Sequence, residues 1–291
     1  MRVGMAQAER FVVSQGDVDT FWRDGAVMIR NVLSDQWLEE LRHGVTTNME
    51  QPTKRTVDWV NNKETGERLF HDQLTVQDNP HFERYILGSP LGSVAAQVMA
   101  SPTALAFYVT TFVRSSGTQS RTPWHQDQTY WCAEGRQALS IWTALDPVAT
   151  GTELEMVKGS HLWERPLAQS QFGENQLSGV IDVGDMETMP VPDFTGADAG
   201  KFEMMRWPME PGDILIFHGM TVHGGSGALP PGVQRRSISA QFLGEDARVT
   251  DRPSGCNPDW LPELAENGIG LGDYPACAMC PTITAEGAVS A

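Results

Sequence analysis

His125 and Asp127 stand two apart in the segment Trp124-His125-Gln126-Asp127-Gln128. In an extended segment the side chains of i and i+2 point to the same face, so an imidazole and a carboxylate converge on one point. One further histidine from elsewhere in the chain would complete a two-histidine, one-carboxylate facial triad. That arrangement suits non-haem Fe(II) and leaves three coordination positions open. The chain has seven histidines, and two lie in informative surroundings. His218 ends the apolar run from Asp213 to Phe217, and His223 precedes Gly224-Gly225-Ser226. Either can serve as third ligand; His223 is preferred, because small residues after it let the backbone approach a metal. Alone, a His-x-Asp triplet is equally at home in a solvated loop, so its weight depends on what accompanies it.

A second group follows at Arg235-Arg236-Ser237-Ile238-Ser239. On a strand, Arg235, Ser237 and Ser239 face one way, and Arg236 and Ile238 the other. A guanidinium with a hydroxyl two residues on offers a carboxylate a fixed fork and an extra donor. In isolation the same residues read as two solvated arginines. Lys158-Gly159-Ser160-His161 reads as a turn after a strand over Thr152–Val157.

These groups need a rigid frame, and the second half of the chain reads as strands. Leu105–Arg114, Ala138–Leu145, Asp213–Phe217 and Arg236–Leu243 are β-branched and aromatic runs separated by turn residues. No 10–15-residue helical patterns intervene between about residues 104 and 244, which disfavours a parallel βαβ sheet. The expected class is mainly β with outer helices, an antiparallel barrel or sandwich. Helices are expected earlier: Asp17–Arg23 stopped by Asp24-Gly25, one led by Ser34 with Trp37, Leu38 and Leu41 on its inner face, and Ser89–Ala100 with Pro90 in its first turn. Ala26–Arg30 reads as a short strand. Residues 167–201 form a polar, Gly- and acid-rich stretch placed to act as a lid. The segment from Asp251 onward, with five prolines from Pro253 to Pro281, reads as an irregular tail wrapping the surface. No domain boundary or internal repeat is visible, so residues 1–291 are expected to form a single domain.

Composition narrows the function classes. The 291 residues include 21 basic and 37 acidic side chains, a net charge of −16, with 40% hydrophobic residues. This is a globular composition long enough to bury a core. The acidic excess argues against nucleic acid or an anionic membrane as partner. No run approaches the ~20 apolar residues of a membrane span, and the N-terminus has no apolar signal-peptide region. A cytoplasmic location is the default. Four cysteines are too few for a disulfide framework. Cys277 and Cys280 form a C-x-x-C that Cys256 could extend, but no second pair or nearby histidine completes a zinc site, so reduced, unligated thiols are expected.

In this order, the pieces Phe21–Leu33, Trp124–Gln128, Leu139–Asp146, Gly159–His161, Pro211–His218, His223–Ser226 and Arg235–Ser239 resemble the phytanoyl-CoA dioxygenase-like family of Fe(II)/2-oxoglutarate-dependent oxygenases. The likeness spans roughly residues 15 to 248, and so many ordered pieces are not expected by chance. It implies a double-stranded β-helix, a jelly-roll or cupin-like barrel. It implies His125, Asp127 and His223 as iron ligands, with 2-oxoglutarate and O2 as co-substrates. Arg235 is implied for the distal carboxylate of 2-oxoglutarate with Ser237 assisting, Trp142 for the co-substrate pocket, and Thr110 as a weaker match to another pocket position. The chain departs from the family at Gly151–Glu155, at Lys158 where a proline is common, and in the loop after His223, which holds Pro230 and Pro231. These departures bear on substrate more than on reaction class.

Related halogenases carry a small residue where this chain has Asp127, so the carboxylate implies hydroxylation; desaturation or ring closure would use the same ligands. Trp124, Tyr130 and Trp131 near the triplet, and Trp163 after Gly-Ser-His, are candidates to line an apolar or cyclic substrate's pocket, although a tryptophan's commoner fate is the core. Arg121 and Arg114 could meet a substrate carboxylate or simply pair at the surface. The substrate is expected to be a small metabolite or natural-product intermediate, since the acidic surface works against a polyanionic acyl-CoA. The chain is expected to act as a monomer or homodimer. The competing classes are a 2-oxoglutarate-independent cupin-type metal oxygenase, which would not need Arg235 and Ser237, and a non-enzymatic binding barrel, which would not need a triad.

Overall fold

The chain runs α1 (Gln15–Asp24), β1 (Ala26–Ile29), α2 (Asp35–Glu50), β2 (Val57–Asn61), β3 (Arg68–Leu74), α3 (Pro80–Gly88), α4 (Leu91–Met99), β4 (Thr103–Arg114), β5 (Thr122–His125), β6 (Ala133–Glu134), β7 (Ala138–Ala144), β8 (Leu154–Val157), β9 (Met204–Met205), β10 (Ile214–His218), β11 (His223–Gly225), β12 (Arg235–Leu243), β13 (Arg248–Val249), α5 (Leu261–Glu266), β14 (Thr282–Thr284) and β15 (Val289–Ser290). This is a computed structural model, and it describes residues 8–64, 66–115, 121–169, 187–225, 229–230 and 232–290. Residues 170–186, the centre of the expected lid, therefore lie outside the described residues.

The early elements follow from capping chemistry. Ser14 caps α1 by accepting from the Asp17 amide at 3.1 Å, and Gly25, at φ 89°, closes the helix in the left-handed region. Ser34 occupies the N-cap position of α2 without a side-chain cap bond. The helix α3 was not expected from the sequence; Asn79 caps it, and Pro80 enters its first turn. The helices α1 to α4 bury Phe21, Leu38, Leu41, Val45, Phe82, Leu91 and Val94 against one face of a large sheet.

That sheet is antiparallel and runs β1-β10-β7-β12-β4-β14-β15, with β3 also paired to β4 and β2 to β3. A second sheet runs β5-β11-β8-β9. The architecture is a double-stranded β-helix, a jelly roll with helices packed outside. Period-two alternation decides which residues reach its interior. On β12, Ile238, Ala240 and Phe242 join the helix-side core, while Arg235, Ser237, Ser239 and Gln241 line the cavity on the other face. On β10, Ile214 and Ile216 pack toward the helices, and Leu215 and Phe217 turn inward with Trp142.

Two regions differ from expectation. The hairpin β2–β3 extends the large sheet where the sequence suggested no strand, and its register places His71 opposite Phe112 and Gln73 opposite Thr110. The C-terminal segment is built into the fold and does not merely wrap it. Its β14 pairs with the N-terminal end of β4, and Trp260, Leu264 and Cys280 are fully buried beside Trp131 and Phe107. The guanidinium of Arg55 covers the Trp260 ring at 3.8 Å. The prolines punctuate this segment, but its widely spaced apolar residues find a partner surface only once the sheet exists.

Candidate active site

The pairing of β11 with β5 sets His223 directly opposite His125. Their rings lie 4.2 Å apart. Asp127 begins a short 3-10 turn immediately after β5, and its Oδ1 sits 3.2 Å from His125 Nε2 and 3.5 Å from His223 Nε2. One ligand atom from each residue lies within 4.8 Å of the other two. The neighbouring backbone fixes which atoms face the centre. His125 Nδ1 is 2.8 Å from the Pro123 carbonyl oxygen, and His223 Nδ1 is 3.0 Å from that of Thr221. Each imidazole must donate its Nδ1–H there, which leaves the Nε2 lone pairs pointing inward. Ser140 Oγ donates to Asp127 Oδ2 at 2.7 Å, leaving Oδ1 for the centre. Two imidazole nitrogens and one carboxylate oxygen, each oriented by a second hydrogen bond, fit a divalent iron with open positions.

Burial tunes these groups. It would raise the Asp127 carboxyl, but the imidazoles of His223 and His125 and the Ser140 hydroxyl outweigh it and hold the group at about 2. Burial, reinforced by His125, pushes His223 down to about 4. At neutral pH the set therefore presents an ionised carboxylate and a neutral His223, the forms a metal needs. Gly224 makes the strand pairing possible: a Cβ there would lie 3.0 Å from the Thr122 carbonyl oxygen and 3.2 Å from the Trp124 ring.

His218, the other sequence candidate, is committed elsewhere. Its Nε2 donates to the Arg136 carbonyl at 2.8 Å, and its Nδ1 accepts from the Met220 amide at 3.0 Å. Neither nitrogen is available to a metal.

The triad opens into a cavity of about 420 Å³. Arg235, Ser237, Trp142 and Thr110 all line it. Arg235 is 8% exposed, its guanidinium is 5.9 Å from the Trp142 ring, and it donates to the Thr152 carbonyl. Burial pushes its pKa down to about 10. Ser237 stands between Ala144 and Phe112, and Ser239 between Trp142 and Thr110, so hydroxyls run along β12 from Arg235 toward the triad. Tyr130, Trp131 and Arg121 also line the cavity, with Arg121 ion-paired to Glu155 at 2.8 Å. Trp124 does not line it: its ring packs on Phe194 at 4.7 Å within a separate apolar cluster that includes Trp163 and Phe202. The odd–even alternation around β5 turns Trp124 away from the face that carries His125.

Several lining residues escaped the sequence reading. Leu69, His71 and Gln73 from β3, Tyr108 and Phe112 from β4, and Asn257 from the C-terminal segment all reach the cavity. The alternation within Arg68–Leu74 was the available signal for β3. Nothing local marks Asn257, whose amide is tied to the Tyr130 carbonyl at 2.7 Å. The four cysteines carry free thiols, and among the described residues only His125, Asp127 and His223 gather in metal-binding geometry. No helix among the described residues is long and apolar enough to cross a membrane.

The sequence pattern of the phytanoyl-CoA dioxygenase (PhyH) family matches residues 21–236. The chain belongs to the PhyH family. It is a non-haem iron, 2-oxoglutarate-dependent oxygenase of that family. No curated protein matches it in sequence. Among solved structures, this PhyH protein is similar to SnoK, a non-haem α-ketoglutarate-dependent carbocyclase from nogalamycin biosynthesis. The two share 19% identity and a TM-score of 0.71, covering 97% of this chain and 100% of SnoK. It is also similar to SnoN, an epimerase from the same biosynthesis, at 20% identity and a TM-score of 0.70 over 92% of this chain and 97% of that one. EctD from S. alaskensis, solved with 2-oxoglutarate and 5-hydroxyectoine, is 16% identical with a TM-score of 0.63, over 89% and 87% of the two chains. At these identities the likeness concerns the fold.

Proposed function

We propose that this PhyH protein hydroxylates an unactivated C–H bond of a small metabolite or natural-product intermediate, consuming 2-oxoglutarate and O2 and releasing succinate and CO2. The observation that carries this reading is the convergence of His125 Nε2, His223 Nε2 and Asp127 Oδ1 at the wall of the cavity that Arg235 also lines. Iron(II) held by the triad would supply the oxidising chemistry once 2-oxoglutarate and O2 bind. The chain's own residues do the rest. Ser140 and the Pro123 and Thr221 carbonyls orient the three ligands. Arg235, desolvated and backed by Trp142, receives the distal carboxylate of 2-oxoglutarate through charge-assisted hydrogen bonds, with Ser237 as a further donor. The aromatic and aliphatic wall around the triad excludes water from the reacting carbon.

Residues 1–291 act in this reading as one oxygenase domain, because the C-terminal segment supplies both a sheet strand and Asn257. A cavity of about 420 Å³ and the −16 charge favour a compact substrate over an acyl-CoA. Arg235 and Ser237 in the cavity favour 2-oxoglutarate dependence over a cupin-type oxygenase that does without it. The test is anaerobic titration of the apoprotein with Fe(II) and 2-oxoglutarate. A weak visible charge-transfer band is expected, and it should vanish in Asp127→Ala. Succinate release across a metabolite panel then locates the substrate. Mass analysis separates gain of an oxygen atom from loss of two hydrogens, which would mean desaturation or ring closure. Absence of the band in the wild type would overturn the reading.

A further inference from the structure

The four cysteines, scattered in sequence, gather in one apolar cluster with Trp131, Tyr108 and Trp260. Cys132 and Cys280 are fully buried there, and Cys256 and Cys277 are half-buried. Their thiols meet in two pairs, Cys132 with Cys256 and Cys277 with Cys280. The second pair is set by a two-residue turn, Ala278-Met279. The Cys277 amide donates to the Cys280 carbonyl at 3.3 Å, and the Cys280 amide to the Cys277 carbonyl at 2.9 Å, so the two residues stand directly opposite in an antiparallel bridge. Such a pair holds its Cα atoms about 5.5 Å apart with both side chains on one face. That separation lies within the roughly 4.4–6.8 Å that a disulfide spans, so the bond can close without moving the backbone.

The two thiols differ as an attacking and a resolving thiol must. Cys277 is partly exposed, between exposed Ala276 and Ala278. The Cys280 thiol donates to its sulfur, and the Cys280 and Met279 amides also face it; together they outweigh burial and hold Cys277 down to about 6. Cys280 is pushed well above the ordinary thiol value by its contact with Cys277 and by burial, so it keeps its proton. A solvent-facing thiolate beside a buried thiol suits thiol–disulfide exchange. The pair also lies behind the cavity wall. The single S–H of Cys280 has two acceptors in reach, the Cys277 sulfur and, at 3.5 Å, the carbonyl of Phe107. Phe107 is the β4 residue that the register of β12 skips, and its neighbour Tyr108 lines the cavity. Oxidation would withdraw that S–H from β4.

We propose that Cys277 and Cys280 form a reversible exchange site for a small disulfide of the glutathione type. The Cys277 thiolate attacks one sulfur of oxidised glutathione; the S–S bond of that molecule breaks and one glutathione thiolate leaves. Cys280 then attacks the Cys277 sulfur of the mixed disulfide and expels the second glutathione, which takes the Cys280 proton. Two electrons pass from the protein thiols to oxidised glutathione, and excess reduced glutathione runs both steps backward. Closing so short a loop adds little stability, which keeps the bond reducible. The proposal is independent of the oxygenase reading.

The experiment exposes the reduced full chain to graded ratios of oxidised to reduced glutathione. Remaining thiols are alkylated and the peptides mapped by mass. In the wild type, the peptide holding Cys277 and Cys280 is expected to lose two hydrogens and to regain them with dithiothreitol. Cys280→Ser should stop at the mixed disulfide and accumulate glutathione on Cys277; Cys280→Ala does the same if a serine is not tolerated in the core. Three outcomes overturn the proposal: the wild-type pair staying reduced at every ratio, Cys277 pairing with Cys132 or Cys256 instead, or the Cys280 variants taking no glutathione at Cys277. The first two are read on the wild type, so they decide the matter even if a variant fails to fold.

Discussion

Asp127 Oδ2 accepts a hydrogen bond from Ser140 Oγ at 2.7 Å, which ties a residue just past β5 in the small sheet to β7 in the large one. The bond holds the carboxylate so that Oδ1 alone faces the two imidazoles. Ser140→Ala should therefore weaken iron binding by about 10–100-fold, the cost of losing an orienting partner, with the fold intact. Iron content after dialysis against a graded chelator, with circular dichroism as control, checks this. Unchanged iron retention would mean that the hydroxyl does not orient the ligand.

Arg235→Gln should raise the dissociation constant for 2-oxoglutarate by about 10–100-fold, the range for losing a charge-assisted contact. Iron affinity should change little, because Arg235 touches none of the three ligands. Separate titrations with iron and with 2-oxoglutarate distinguish the two. If iron loss accompanies the change, Arg235 is supporting the fold of the site and not only its co-substrate.

His218 and His223 should behave oppositely. His223→Ala should abolish iron retention. His218→Ala should retain iron yet destabilise the fold by about 1–3 kcal/mol, since it leaves the Arg136 carbonyl and Met220 amide without their partner. Urea unfolding with parallel iron analysis reads both. Loss of iron in His218→Ala at normal stability would reverse the ligand assignment.

Acid should destabilise the metal-free protein in a defined window. Burial holds His71, His218 and His223 at about 4, below the ordinary 6.5. Between these values the unfolded chain binds protons that the folded chain refuses, so stability rises with pH across the window. The contribution is fully present above about 6.5 and is lost as pH falls toward 4. Asp127, depressed from 3.8 to about 2, extends the loss at still lower pH. Tm of the apoprotein should fall steadily from pH 7 to pH 4.5, and iron should flatten the upper part by keeping His223 unprotonated. A flat Tm over this range would contradict the burial of these rings.

The C-terminal segment should prove integral. Trp260 is fully buried against Tyr108 and beneath Arg55, so Trp260→Ala should cost about 3–5 kcal/mol. Chemical denaturation measures it. A cost below about 1 kcal/mol would fit an accessory tail instead.

Much of the centre is legible in the amino-acid sequence. The spacing of His125 and Asp127, the hydroxyl-bearing face of Arg235–Ser239 and the apolar alternation of β7, β10 and β12 are local patterns, and local patterns survive in a linear string. Most of helix α1 and its stop are equally readable, from the run Asp17–Arg23 and the Asp24-Gly25 that ends it; the Ser14 cap is not.

What the string left open was settled by long-range contact. Whether His218 or His223 faces the triad depends on which carbonyls and amides each ring meets, and those come from Arg136, Met220 and Thr221 after the sheets have paired. Trp124 looked as suited to the cavity as Trp131, yet Phe194, distant in sequence, claims it for another cluster. His71, Arg114 and Asn257 reach one cavity from three distant segments. The sequence by itself determined the chemistry available and the period-two faces that carry it. Only the tertiary structure decided which faces meet, because register, burial and the partners of each buried polar atom are properties of paired strands and not of any single one.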